Sequence, residues 1–390
     1  MRAPSSPPSP PVAGDFKPGS FRGAEGGYRL GQTVAGRWWW LTPNGDPAVV
    51  AGVNRVQRTA TGQPVLGQLA RWGFNILGSD TPAEFRGQSL PHFVELGFRQ
   101  AGDCLIRRPG VCLPDVYNPS WAAACTECAA SAVGPGTAAC VLDSELEWGA
   151  PAAAGRPERP TLLQVCLGLD PSFAAYHAAW EFVLAPRGGE LPQLAADWDV
   201  ALPNKETLRQ LTRDEVPLTS PGYERDRVQF AREFAQAYFR PATSRVREAV
   251  PGALILAKVT ADKTSDEVRG VATGWVDALL VDRPLVGAGP VVLDDVNWRS
   301  VDVSPAANEP LGISEMERRI VRGREGLSAA LAQPEVVGYF WSRQVGSDTH
   351  DAKSGGDGLF YENGIINQVV AQPLAAINAE AVAIRGGVAG

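Results

Sequence analysis

AACVLDSELEWGAP, residues 138–151, runs an apolar segment (Ala139, Cys140, Val141, Leu142) straight into Asp143, Glu145, Glu147 and Trp148, and Gly149 and Pro151 close it. A short, continuously apolar run suits a strand covered on both faces, as the strands of a parallel sheet are. Its terminal carboxylates then stand at the C-terminal edge of that sheet. The same grammar recurs along the chain: AVVAGVN (48–54), FNILG (74–78), FVELGFR (93–99), ACVLD (139–143), ALILAKV (253–259), VDALLV (276–281), PVVLDD (290–295) and VVGYFW (336–341). That makes eight runs.

Several of the intervening stretches have helical periodicity. Val228, Ala231, Ala235 and Tyr238 recur at spacings of three and four until Pro241, which is expected to interrupt the helix. Met316, Ile320, Leu327 and Leu331 share one face, with Ser314 as N-cap. Residues 119–133 are Ala-rich and begin with Pro119. Eight strands alternating with helices predict an α/β fold, a (β/α)8 TIM barrel with long loops at its C-terminal face. An open doubly wound sheet is the competitor, but no GxGxxG or Walker loop follows an early strand. The expected organisation is a disordered Pro/Ser-rich leader over 1–25, then one barrel over 26–385 with an insertion around 150–220. Loops of that length in a compact domain are usually functional, building a rim or lid.

Composition narrows the partners. A net charge of −7 argues against nucleic acid or an anionic membrane surface. No apolar run approaches the roughly 18 residues that span a bilayer. Two Met, 11 Trp and 42 Gly lean towards a secreted or periplasmic hydrolase. The leader has no signal-peptide core; it reads as what remains after a signal is removed, or as a natural cytosolic tail. All six cysteines fall between Cys104 and Cys166. Structural disulfides are the first expectation, ahead of buried thiols, with Cys104–Cys112 the best single pair. Cys125 and Cys128 have the spacing of half a zinc site, but no second such pair exists. His92, His177 and His350 lack ligand spacing, so neither metal nor cofactor is expected.

In a barrel, side chains at the C-terminal ends of the strands converge on one mouth. The first strand ends in Asn54-Arg55, the second in Ser79-Asp80 and the fourth in Asp143-Ser144-Glu145. The fifth supplies Lys258, the sixth Asp282-Arg283, the seventh Asp294-Asp295-Val296-Asn297-Trp298 and the eighth Trp341-Ser342-Arg343. Carboxylates, amides and indoles suit a carbohydrate: indoles stack on sugar rings, and carboxylates bond hydroxyls or move protons. Two acids on facing strands are what glycoside hydrolysis requires. Strands four and seven face one another across an eight-stranded ring, so Glu145 and Asp295 are the candidate catalytic pair. Glu147 is placed to tune Glu145 by like-charge repulsion. Trp148, Trp298 and Trp341 are candidate stacking platforms, and Glu362 reaches a hydroxyl from the last loop.

The motifs, taken in order, resemble the β-agarase-like and related β-galactosidase-type barrels of glycoside hydrolase clan A. GRWWWLTPNGDPAVVAGVNRV (36–56) is similar to their opening hairpin and first strand, RWGFNILGSD (71–80) to the second, and LPDVYNPSW (113–121) to the segment before helix three. LDSELEWG (142–149) resembles the strand-four segment that holds the acid/base. PEVVGYFWSRQ (334–344) and DGLFYENGIIN (357–367) resemble strand eight and its loop. The resemblance spans roughly 36–370 and implies a glycosidase acting on β-linked, galactose-containing carbohydrate with retention. It assigns Glu145 as acid/base and, within PVVLDDVNW (290–298), Asp295 at the position of a nucleophilic Glu. Two departures stand out. Ser144 replaces an Asn that contacts the sugar 2-hydroxyl, and the nucleophile is one methylene shorter, with Asp294 the fallback. Such a change also suits an inverting hydrolase with Asp295 as base, or a catalytically silent carbohydrate-binding barrel.

Overall fold

A computed structural model describes residues 10–59, 65–100, 105–130, 134–150, 159–301, 315–346 and 357–387. Each of the eight apolar runs overlaps one strand of a closed parallel barrel. The strands are β1 (Val50–Val53), β2 (Ile76–Leu77), β3 (His92–Glu95), β4 (Thr137–Val141), β5 (Ile255–Lys258), β6 (Ala278–Val281), β7 (Val291–Val296) and β8 (Val336–Trp341). Each pairs with its neighbours in sequence, and β8 closes the ring against β1. The helices are α1 (Val65–Arg71), α2 (Trp121–Ala130), α3 (Leu162–Leu167), α4 (Ala174–Leu184), α5 (Leu191–Asp197), α6 (Lys205–Arg213), α7 (Pro221–Ala249), α8 (Asp266–Thr273), α9 (Glu315–Leu331) and α10 (Gln368–Gly386). Alternation lapses twice: a single 3-10 turn, Ala83–Phe85, follows β2, and only a loop follows β6.

Four expectations change. The leader is not uniformly loose: Phe16 bridges Thr33, Arg22 bridges Leu30, and the Arg22 guanidinium lies 4.8 Å over the Trp38 ring. Burial of Phe16 with Trp39 and Leu41 supplies the driving force; residues 1–9 lie outside the described residues. The insertion over 150–220 carries α3 to α6 where described, with α3 and α4 packed on the long α7 and α6 on α3. Pro241 sits inside α7 and does not end it. The carbonyl four residues back, which proline cannot satisfy, accepts the Trp121 Nε1–H at 3.2 Å. Finally, Cys112, Cys125, Cys140 and Cys166 are free thiols. Cys125, Cys140 and Cys166 fill the core as small apolar residues; Cys104 lies outside the described residues, as does Ser314.

The barrel interior is packed solid. Val50, Ile76, Phe93, Val141, Leu256, Leu280, Val292 and Phe340 point inwards, and Trp38 and Trp40 join them from an N-terminal antiparallel sheet (Arg29–Gln32, Trp38–Leu41, Pro47–Ala48). Phe93 and Phe340 meet edge-on at 4.8 Å. Such a core leaves no pore, and chemistry is confined to the strand ends. At the closing seam, Gly338 lies opposite Val50 and Gly52 opposite Phe340. A Cβ on Gly52 would come within 2.2 Å of the Phe340 ring, and one on Gly338 within 2.2 Å of the Val50 carbonyl.

At the opposite end, Arg385 of α10 is fully buried. Its guanidinium donates to the carbonyls of Trp38, Leu331, Gln333, Pro334 and Val336, and stands 5.3 Å over the Trp39 ring. One side chain thereby joins the last helix, the start of β8 and the N-terminal sheet.

Two stability changes follow from these contacts. Gly52→Ala should lower the urea unfolding free energy by about 1–3 kcal/mol through overpacking against Phe340, and pairing it with Phe340→Leu should recover part of the loss. Arg385→Met should cost more than Gly52→Ala in the same assay, because each buried carbonyl it orphans costs about 1–3 kcal/mol.

Candidate active site

Barrel closure sets β1 beside β8 and β8 beside β7, so the ends of β1 and β7 share one side of the mouth. Asn54 donates its backbone N–H to the Trp341 carbonyl (2.9 Å) and its side-chain Nδ2 to Asp294 Oδ1 (2.8 Å). Lys258, from the end of β5, bridges both acids: its Nζ lies 2.7 Å from Asp294 Oδ2 and 3.0 Å from Asp295 Oδ2. Arg55 pairs with Asp295 Oδ1 at 2.9 Å and donates to the Ser342 carbonyl at 2.5 Å. The Arg55 backbone N–H in turn donates to both oxygens of Asp80.

Simple strand alternation would send only one of Asp294 and Asp295 inwards. Both turn to Lys258 because β7 departs from regular register between Leu293 and Val296, and Asp295 is left-handed at φ +53°. Arg55 is left-handed too, at φ +54°. Non-glycine residues in this region cost about 1–3 kcal/mol each and persist where their surroundings over-determine them. Here the two strained residues are each other's ion-pair partners. Asp294 is nearly enclosed; Asp295 is open to solvent along about a third of its side chain. Burial works to raise the Asp295 pKa, but Lys258 and Arg55 outweigh it and hold the carboxyl below its ordinary range. Asp294 and Asp295 likewise overcome the burial of Lys258 and raise its pKa. Asp295 is therefore an anion, fit to attack or to accept a proton and unfit to donate one.

Across the ring, Glu145 projects from the loop after β4 and is exposed. Arg99 donates to it twice, Nη2 to Oε2 at 3.0 Å and Nη1 to its carbonyl at 3.2 Å. Asp143 is buried; both its oxygens accept the Arg99 backbone N–H at 3.0 Å, and Oδ2 accepts the Tyr238 hydroxyl at 2.5 Å. Burial, opposed by the bonds from Tyr238 and Arg99, pushes its pKa up to about 7. Ser144 is engaged by the end of β3: its N–H and Oγ–H donate to the two oxygens of Glu95 at 3.0 and 2.7 Å. Glu147 sits opposite Cys112 on a short antiparallel sheet made by Leu105–Arg108, Val111–Pro114 and Glu147–Trp148. Glu362 is exposed on the loop after β8.

The three candidate platforms need correction. Trp148, Trp298 and Trp341 are each at most 1% exposed. Trp148 stacks on Phe239 at 5.7 Å, and Trp298 and Trp341 lie 4.9 Å apart. Their ring faces are covered by protein, which leaves none for a sugar. Tyr361, beside Glu362, reaches solvent. Glu95, Arg99 and Tyr238 are the participants that strand-end reading missed. Glu95 ends β3 and was legible by the same rule as the rest; Arg99 and Tyr238 arrive through tertiary packing. Among the described residues no three His, Cys, Asp or Glu side chains converge as a metal site, and no helix is long and apolar enough to cross a membrane. A concavity of about 430 Å³ between Arg108, Val165 and Arg209 lies away from the strand ends.

No protein-family model and no curated protein matches the sequence. Solved structures do match the fold. An exo-β-agarase superposes with TM-score 0.72 at 14% identity, covering 94% of this chain and 67% of its own. An agarase, AgWH50C, gives 0.70 at 15%, covering 97% and 68%. BpGH50 gives 0.66 at 15%, covering 95% and 85%. Over nearly its whole length this chain has the barrel architecture of solved agarases, and at such identities the likeness is one of fold.

Proposed function

We propose that the protein is a glycoside hydrolase cleaving β-linked, galactose-containing poly- or oligosaccharide, with Glu145 as acid/base and Asp295 as nucleophile. The observation that carries this reading is Asp295: an ionised, part-exposed carboxylate at the end of β7, strained and held between two cations on the mouth that Glu145 borders. The fold neighbours named as agarases support the substrate class. In this scheme Glu145 protonates the glycosidic oxygen while the part-exposed carboxylate of Asp295, held between Arg55 and Lys258, attacks the anomeric carbon. Water then hydrolyses the glycosyl-enzyme with Glu145 as base. Lys258, shared with enclosed Asp294, keeps the nucleophile ionised and fixed. Asn54, Asp80, Glu147 and Glu362 are the groups this reading assigns to sugar hydroxyls. A polymer substrate places the enzyme outside the cytoplasm, secreted or periplasmic.

One observation favours a second reading, a carbohydrate-binding barrel without catalysis. Arg99 engages Glu145 and Arg55 engages Asp295, so both carboxylates are occupied by guanidinium groups.

Reducing-end release from agar oligosaccharides and aryl β-galactosides separates the two. Glu145→Gln and Asp295→Asn should each lower kcat/KM by about 10²–10⁴-fold on unactivated substrate. A parent protein that binds these sugars and cleaves none would establish the silent barrel. The first anomer seen by NMR decides the stereochemistry: β means retention, and α makes Asp295 a base for water.

A further inference from the structure

The loops after β3 and β4 hold one another in a crossed clamp. Glu95, ending β3, takes both the N–H and the hydroxyl of Ser144 in the β4 loop. Asp143, in the β4 loop, takes the backbone N–H of Arg99 in the β3 loop. The Arg99 side chain then returns to the carbonyl and carboxylate of Glu145. Tyr238 of α7, fully buried and stacked on Trp121, donates to Oδ2 of Asp143. A glutamate that is itself exposed thus has its neighbouring backbone tied to half-buried Glu95 and its guanidinium partner's backbone tied to buried Asp143. Buried carboxylates are costly unless hydrogen-bonded, and Asp143 meets that cost with bonds that serve Glu145.

We propose that Asp143, braced by Tyr238, is a positioning residue for Glu145, acting through Arg99, with Glu95 as its counterpart on the other loop. The inference rests on the reading of Glu145 as the proton donor. Displacing a reacting group by about 1 Å costs roughly 10²-fold in rate, so a clamp of this kind has kinetic weight. The groups facing Asp143 are Glu95 and Arg99 from the β3 end, Tyr238 on α7, and Cys125 and Cys128 on α2. Its folded pKa near 7 lies above the ordinary 3.8. Whatever stability the neutral carboxyl preserves is therefore complete below about pH 4, declines as pH rises, and is lost above pH 7.

The test compares kcat/KM on two substrates, an unactivated galactoside and an aryl galactoside whose leaving group departs without protonation. Asp143→Ala and the milder Tyr238→Phe should lose activity on the first, Asp143→Ala by about 10²-fold, and change little on the second. KM should move less than kcat. Asp143→Asn, which keeps an acceptor for the Arg99 amide, should restore most of the loss and shift the alkaline limb of the pH profile. Amide hydrogen exchange supplies a readout independent of turnover: protection at Arg99 and at Ser144 should fall in Asp143→Ala and return in Asp143→Asn. Equal losses on both substrates, or unchanged exchange and kinetics in Asp143→Ala and Tyr238→Phe, would overturn the proposal. Full activity of Glu145→Gln on the unactivated substrate would instead sink the assignment of Glu145, with exchange still deciding whether the clamp exists.

Discussion

Everything at the mouth depends on how the last strand meets the first. The seam is made by two reciprocal pairs, Gly338 against Val50 and Gly52 against Phe340, in which one partner gives up its side chain so the other can fill the barrel. Close packing of this kind has little tolerance for added volume. It also sets the height of β1 relative to β7 and β8, and with it the reach of Asn54 to Asp294 and of Arg55 to Asp295. Arg385 performs a comparable service at the other end, where its carbonyl bonds lock the last helix beneath the entry to β8. The core is a structural investment in registration, and the site inherits its geometry from it.

The two halves of the mouth solve different electrostatic problems. On the β1–β7 side, Asp80, Asp294 and Asp295 crowd around Arg55 and Lys258, so no carboxylate there lacks a cation or an N–H donor. The result is an anion held ready. On the β3–β4 side the buried acid, Asp143, accepts from backbone and tyrosine donors, while the exposed acid, Glu145, pairs with the Arg99 guanidinium. The asymmetry lies in exposure: Asp295 is held between two cations, and Glu145 is open to solvent beside one.

The barrel was legible because a parallel strand buried on both faces writes itself as an uninterrupted apolar run, and each of the eight runs overlaps one. Strand ends were legible for the same reason. What eluded sequence were features that need more than local pattern. Tyr238 reaches Asp143 across 95 positions, and Arg99 reaches Glu145 across 46. The three tryptophans misled because an indole at a strand end suits a sugar face and a helix–strand interface equally, and only packing chooses. Pro241 misled because its missing bond is supplied from another helix, by Trp121. The convergence of Asp294 and Asp295 on one lysine rests on an irregularity of β7 that alternation forbids.

That irregularity bears on the aspartate itself. A resemblance that expects glutamate at position 295 makes Asp look like a deficit of one methylene. The backbone gives it a different meaning. At φ +53° most side chains crowd the following carbonyl, while Asp and Asn are the non-glycine residues that best tolerate the left-handed region. A short carboxylate is therefore what this turn of the chain accepts, and the turn is what places both oxygens within reach of Arg55 and Lys258. Residue type and backbone conformation form one adaptation, in which the strand's departure from its path, rather than side-chain length, sets where the carboxylate stands.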